Sequence, residues 1–372
     1  MAQAKARLPG GVERPRIRPV RPAAPDYAAI LRGALTRDGA EVCDVDGCAL
    51  VDFVNDQGAV LLGWNDREVE AAVQAGRDPV RLEAEAAERL AALIPSTEAV
   101  GFRPSFEAAL ADALMAAKTL TGRDGAFFCD EAATAAGDVA ALASALDRFA
   151  GEVAAVVIRP LEAPRPFLVA AQRLIRAHGA LMIFDERRSA FRAHRGGVQY
   201  LAGVFPDMTL IGASVANGRP IAAIAGALEP MRALQGLGGR ISTAALAAAC
   251  VTLSRVERLD SAQALRVIGA EISAEIEARL AGAGADAWLQ ISGDPAWSVV
   301  SPRPRPGAAA LAAALADGLY EQGALSLGVH IPSLACGAHE VGRLLAAYNA
   351  VLPSLTLRAD GGAFNRRMAR RA

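Results

Sequence analysis

Lysine is nearly missing from this sequence. Among 39 basic residues in a chain of 372, only Lys5 and Lys118 are lysines, and the rest are arginine. Chemistry that needs a side-chain amine therefore has two candidates. Lys5 lies in the opening arm, and helical spacing turns Lys118 toward solvent. Aromatic residues amount to 5%, and no apolar run approaches the roughly 20 residues of a membrane-spanning helix. The five cysteines, Cys43, Cys48, Cys129, Cys250 and Cys336, contain no C-x-x-C pair. That spacing argues against a zinc site and a disulfide framework, and it points to a reducing cytoplasm. The net charge of −1 offers no basic field for nucleic acid or an anionic membrane. The Arg- and Pro-rich start, Met1 to Arg21, lacks the apolar stretch of a secretory leader. No P-loop, G-x-S-x-G or H-E-x-x-H motif occurs. His194 and His330 have no catalytic partner in sequence and read as surface or core-edge residues.

What is present is an ordinary globular composition, 53% hydrophobic and 21% charged, sufficient for a large core. Glu41–Val45 and Ala49–Phe53 read as short strands around an Asp46-Gly47 turn. Asp66–Ala75 and Arg81–Leu93 have helical apolar spacing. Glu107–Leu120 is a further helix, ended by Thr121-Gly122. Ala154–Ile158 is a continuous apolar strand, and Pro166–His178 a helix closed by Gly179. Leu181–Phe184, Met208–Ile211 and Ile221–Ala225 read as strands. Apolar strands alternating with helices predict a mostly parallel sheet covered on both faces. Beyond it, 244–282 is helical, Trp288–Pro302 a strand pair, Ala308–Gln322 a helix, Val329–Ser333 a strand and Glu340–Leu352 a helix. The expected divisions are an arm at 1–40, part of a small domain at 41–80, a large domain at 81–255, a C-terminal small domain at 256–365 and a basic tail at 366–372.

Several segments, in order, resemble the class III pyridoxal-phosphate aminotransferases, in the glutamate-1-semialdehyde aminomutase-like branch. They are "LPGGVERPRIRP", "DVDGCALVDFVNDQGAVLLGWNDREVEAAV", "LIPSTEAVGFRPSFEAALADALMAAKTLTGRD", "HGALMIFDERRSAFR" and "GVFPDMTLIGASVANGRPIAAIAGA". The resemblance covers most of residues 8–250 and, more weakly, the C-terminal part. It implies an α/β chain of the pyridoxal-phosphate-dependent transferase fold type I, with a large domain on a mainly parallel sheet plus a small α+β domain, and a dimer.

In that family a lysine amine holds the cofactor and an acid pairs with the pyridine nitrogen, while a helix N-terminus binds the phosphate. By resemblance the acid is Asp185. The lysine position after Gly212 is Ala213, whose methyl group can neither tether a carbonyl nor relay a proton. The family's Ser-Gly-Thr phosphate motif reads Ser105-Phe106-Glu107, so Ser105 alone remains; Phe106 crowds the approach, and Glu107 suits the helix dipole instead. The aromatic cover aligns with Ala133-Thr134-Ala135, and the flap that normally follows is mostly absent, replaced by one short helix at Asp138–Phe149. Arg187 stands where an aliphatic residue packs under the ring, Arg159 where the family has glutamate, and Arg240 where a threonine crosses the dimer.

These losses imply a homologue without catalytic residues that has given up transamination and acts in binding or regulation, as a homodimer or as a heterodimer with an active paralogue. Ser105 and Asp185 are then vestigial cofactor-binding residues. No cofactor is expected, pyridoxal phosphate serving at most as a weak non-covalent ligand, and no metal, nucleic acid or membrane. Two alternatives stay open. One is a cofactor-free enzyme or anion binder using a vacated pocket lined by Arg159, Arg187 and Arg240, a cluster that pairing with Asp185, Glu186 or Glu162 would equally explain. The other is residual aminotransferase or aminomutase activity.

Overall fold

The computed structural model describes residues 27–130, 136–161 and 163–359. The opening arm with Lys5, the Ala133–Ala135 stretch, Glu162 and the Arg366–Ala372 tail lie outside them. In chain order the first elements are α1 (Tyr27–Gly33), β1 (Thr36–Asp38), β2 (Glu41–Cys43), β3 (Ala49–Asp52), α2 (Arg67–Gln74) and α3 (Pro79–Leu93). Then come β4 (Ala99–Arg103), α4 (Phe106–Thr121), β5 (Gly125–Cys129), α5 (Val139–Arg148), β6 (Val153–Ile158), α6 (Arg165–Ala177), β7 (Leu181–Asp185), α7 (Gly197–Ala202), β8 (Met208–Ile211) and β9 (Ala222–Gly226). The remainder is α8 (Leu228–Arg232), α9 (Thr243–Leu259), α10 (Ser261–Gly282), β10 (Leu289–Asp294), β11 (Trp297–Pro302), α11 (Ala308–Glu321), β12 (Ala324–Leu325), β13 (Val329–His330) and α12 (Ala338–Ala359).

The central sheet has six strands in the order β4-β9-β8-β7-β6-β5. The run β5 to β8 is parallel, while β9 lies antiparallel to β8 and β4 antiparallel to β9. Every residue of β6 is buried, as a strand covered on both faces requires. Its side chains alternate. Val156 and Ile158 join Leu142 and Leu146 of α5 and Phe167, Leu168, Ala171 and Ile175 of α6. Ala155 and Val157 meet the alanine face of α4, Ala109, Ala113, Ala116 and Ala117. Full burial stabilises each Val or Ile by about 1.5–3 kcal/mol, so this two-sided cover is what holds the sheet.

A second sheet, β1-β2-β3-β12, draws three strands from the N-terminal part and one from the C-terminal part. β12 pairs parallel with β3, and Val51 and Phe53 pack with Leu319, Leu344 and Tyr348. A third, β10-β11-β13, is antiparallel. The helical stretch expected over 244–282 is two helices, because Asp260 takes φ +42° between α9 and α10. The last helix runs past the expected Leu352 to Ala359, with Pro353 inside it. Among the described residues, no helix is long and apolar enough to cross a membrane.

Candidate functional site

Parallel strands place their carboxyl ends side by side, and in open α/β sheets that edge is where ligands bind. Here β6 ends at Ile158 and delivers Arg159. β7 ends at Asp185 and delivers Arg187. β8 ends at Ile211 and delivers Gly212 and Ala213. The register puts Asp185 opposite Leu210, and the Glu186 amide donates to the Leu210 carbonyl at 2.9 Å. A side-chain carbon built at Gly212 would lie 3.2 Å from the Arg187 Cβ, so the backbone of Gly212 passes close against that side chain.

Asp185 is buried, and arginines take its carboxylate. Arg187 donates from Nε to Oδ1 at 3.0 Å and from Nη2 to Oδ2 at 2.7 Å. Arg159 donates from Nε to Oδ2 at 3.2 Å. The arginine side chains keep 33% and 34% of their surface, against 4% for Asp185, so the acid is sealed behind two half-open guanidinium groups. Arg187 has a further neighbour: its Cζ sits 3.9 Å from the centroid of the Phe106 ring, a cation–π contact. The space left beside Arg159, Leu161, Asp185, Arg187, Arg188 and Ser189 is a cavity of about 10 Å³, room for roughly one water. The pocket expected to be vacated is therefore filled by the chain's own side chains.

Phe106 opens α4. Ser105 caps that helix, its Oγ accepting from the Ala108 amide at 3.2 Å, and Glu107 sits exposed in the first turn, where the dipole favours it. Ala213 begins a 3-10 turn, Ala213–Ala216, closed by Asn217 at φ +52°. Asn217 Oδ1 accepts from the amides of Leu61 and Leu62, both at 2.8 Å, and so ties this turn to the N-terminal part. Lys118 is on α4, 13 residues after Ser105 and thus about 20 Å along the axis. It pairs with Asp124 and is 55% exposed, well away from the strand ends.

Arg240 does not join the cluster. It is exposed in the segment after α8, where the neighbouring Gly239 packs on Pro104. Among the described residues it makes no hydrogen bond or ion pair with Arg159, Arg187 or Asp185. Sequence reading missed Arg192, and it offered Glu186 only as a partner for the arginines, which it is not among the described hydrogen bonds. Glu186 is fully buried and accepts from the Val198 amide at 2.9 Å and from Ser189 Oγ at 2.9 Å. Burial, aided by Asp185 next to it, pushes its carboxyl up to about 7. His194 is half-buried, as a core-edge residue should be, but the reading of His330 needs correction. His330 is fully buried between Ser298 Oγ, 3.2 Å from Nδ1, and Tyr348 OH, 2.9 Å from Nε2. Desolvation drives its pKa down to about 3. His194 lies flat on Tyr200, with ring centroids 4.0 Å apart. Among the described residues no group of three or more His, Cys, Asp or Glu is placed to hold a metal ion.

No family model matches the chain. Curated relatives do. Glutamate-1-semialdehyde 2,1-aminomutase of Roseiflexus castenholzii is 33% identical over 349 residues, 76% of this chain and 79% of that protein. The enzyme of the same name from Sorangium cellulosum is 30% identical, covering 77% and 78%. Among solved structures, the FumI protein of Sphingopyxis sp. MTA144 in its PLP internal aldimine form has a TM-score of 0.79 at 23% identity, covering 87% of this chain and 88% of that one. A lysine-to-alanine variant of a glutamate-1-semialdehyde aminomutase from Pseudomonas aeruginosa, in complex with PMP, has a TM-score of 0.75 at 21% identity, covering 87% of each chain.

These likenesses overturn the expectation that no cofactor, or only weakly held pyridoxal phosphate, belongs with this chain. The relatives carry the name of an aminomutase, and three of the solved neighbours hold PLP or PMP. The physical reason is visible in the Pseudomonas variant: replacing a lysine by alanine there left PMP bound. Missing an amine is thus no measure of occupancy. The side chains of this chain, as arranged, do not leave a ring's place open, since Arg159 and Arg187 take both oxygens of Asp185 and Phe106 is covered by Arg187.

Proposed function

The chain belongs to the class III pyridoxal-phosphate aminotransferase family, on its glutamate-1-semialdehyde aminomutase-like side, and from that premise we propose that it has lost transamination and serves as a non-catalytic binding or regulatory homologue. The observation that carries this reading is Ala213 at the head of the turn after β8, where the resemblance puts the lysine. Its methyl group offers no nucleophile and no base. Support comes from the neighbours of Ala213. Asp185, which the resemblance pairs with the pyridine nitrogen, is engaged by Arg159 and Arg187, and Phe106, under Arg187, stands where the resemblance puts the glycine of the phosphate motif.

The test is amino-group exchange. Purified protein is incubated with excess pyridoxal phosphate, then with glutamate, alanine or 4,5-diaminovalerate, while the absorbance of the cofactor is followed. No conversion to the pyridoxamine spectrum is expected. A donor-dependent bleach overturns the reading. The regulatory role further requires a partner, a second copy or an active paralogue. Co-expression with an active aminomutase and sizing should show a dimer; a monomer at all concentrations, alone or mixed, counts against it. A small-anion site at Arg159, Arg187 and Arg240 is the lesser reading, because two of these are committed to Asp185 and the third stands apart.

A further inference from the structure

We infer that the open pocket between β4 and α8 is a binding site for a small organic acid, a carboxylate carried on an apolar body. β4 is the outermost strand of the central sheet, so one of its edges has no strand beside it. Together with α8 and the segment after it, through Leu237, it walls a pocket of about 280 Å³. That volume sits at the lower end of the range for ligand sites and calls for a small ligand. Arg159, Asp185 and Arg187 take no part in its wall, so it is separate from the strand-end cluster.

Arg103 gives the pocket its chemistry. Its side chain lines the wall and is only 7% exposed. Asp112 holds Nε, and Nη1 donates to the Phe102 carbonyl at 2.8 Å. Two glycines lie against the guanidinium: a side-chain carbon at Gly101 would come 3.2 Å from Nη1, and one at Gly238 3.6 Å from Cζ. Nη2 is left over. Among the described residues it donates to no acceptor, and it is not sealed off from solvent. A guanidinium fixed in this way costs a ligand little ordering, and its planar fork matches a carboxylate. Asp112 already balances the charge of Arg103, so a bound anion needs a second cation. Arg232 supplies one. It lines the same pocket and is exposed, and among the described residues its side chain has no hydrogen bond or ion pair. The rest of the wall is largely apolar. Met231 and Leu234 are buried in it, whereas Leu228 and Leu237 stay 41% and 39% exposed. An apolar ligand body would cover surface that water now wets. An inorganic anion would gain nothing there, which is why the acid must be organic.

The experiment titrates phenylacetate, its neutral amide phenylacetamide, and acetate into the full-length protein by calorimetry. Phenylacetate should bind at least tenfold more tightly than either the amide or acetate. Arg103→Met keeps an unbranched side chain without the charge, and it should erase the preference for the acid over the amide. Arg232→Gln, a change at an exposed position, should weaken the acid severalfold, and it covers the case in which the Arg103 variant does not fold. The inference is overturned by an absence of saturable phenylacetate binding or by equal binding of acid and amide. Undiminished acid binding in the folded variants overturns it too. Amino-group exchange by the wild-type protein would sink the proposed loss of transamination and leave this result standing.

Discussion

Glu186 shows how one buried group sets a pH dependence. Its carboxyl lies wholly inside the protein, held by the Val198 amide and Ser189, and its pKa is raised to about 7 chiefly by desolvation. An acid whose pKa is raised on folding binds more protons in the native state than in the unfolded chain. Its contribution is intact below the unfolded value near 4.5, declines as pH climbs from there to about 7, and is then fully lost. Glu186→Gln keeps an acceptor for the Val198 amide and a donor for Ser189, and it cannot ionise. Urea unfolding at pH 5 and pH 8 should therefore show wild type losing on the order of 2–3 kcal/mol more than the variant across that interval. Parallel losses in the two proteins would refute the assignment. At this scale the sequence disclosed Asp185, because it closes a readable apolar strand. It did not disclose that Arg187 would lie on Phe106. Those residues are 81 positions apart, and only the approach of α4 to the strand ends brings them together.

Elements were legible where burial is uniform and obscure where it is mixed. β6, β7 and β8 are apolar runs with nearly every residue buried, so each shows as a strand in sequence. β4 and β5 are the edge strands, with most residues half-exposed, and their short sequences, AVGFR and GAFFC, were not read as strands. The two helices at 243–282 were read as one because Asp260 breaks them through a positive φ that no glycine or proline announces. Within α10, Gly269 reads as a weak spot in a helix, since alanine there gains about 1 kcal/mol of propensity. The packing reverses that sign: a methyl group at Gly269 would lie 1.8 Å from the Pro295 carbonyl oxygen. Moving the β10–β11 turn off the helix costs more than the propensity returns, typically 1–3 kcal/mol for overpacking and more against rigid backbone. Gly269→Ala should accordingly lower the urea midpoint, while Gly282→Ala near the end of the same helix, where nothing lies within 4 Å, should not. A Gly269→Ala protein as stable as wild type would show that the turn yields freely.

For the molecule as a whole, the question is what joins the central sheet to the sheets assembled from both ends of the chain. Arg192, the seventh residue of the segment between β7 and α7, supplies a physical answer. It is 1% exposed, and its guanidinium donates to Gly58 O at 2.9 and 3.0 Å, Val60 O at 3.0 Å and Pro332 O at 2.7 Å. One side chain thus ties an N-terminal loop and a C-terminal loop to the carboxyl side of β7. Among the described residues it has no carboxylate partner, and desolvation lowers its pKa to about 9. A buried cation of this kind is retained only because carbonyl dipoles replace its water. Arg192→Met preserves much of the bulk but strands three acceptors at about 1–3 kcal/mol each, partly relieved by loop movement. A loss of roughly 3 kcal/mol or more is expected, and Arg192→Lys should recover only part of it, because one ammonium cannot span acceptors from two loops as a planar fork does. Urea unfolding of the variants followed by tryptophan fluorescence tests this, since Trp297 packs against the same loop at Gly58. If Arg192→Met unfolds at the wild-type midpoint, the loops are held by their apolar contacts, and the guanidinium clamp is incidental to how the parts of the chain are joined.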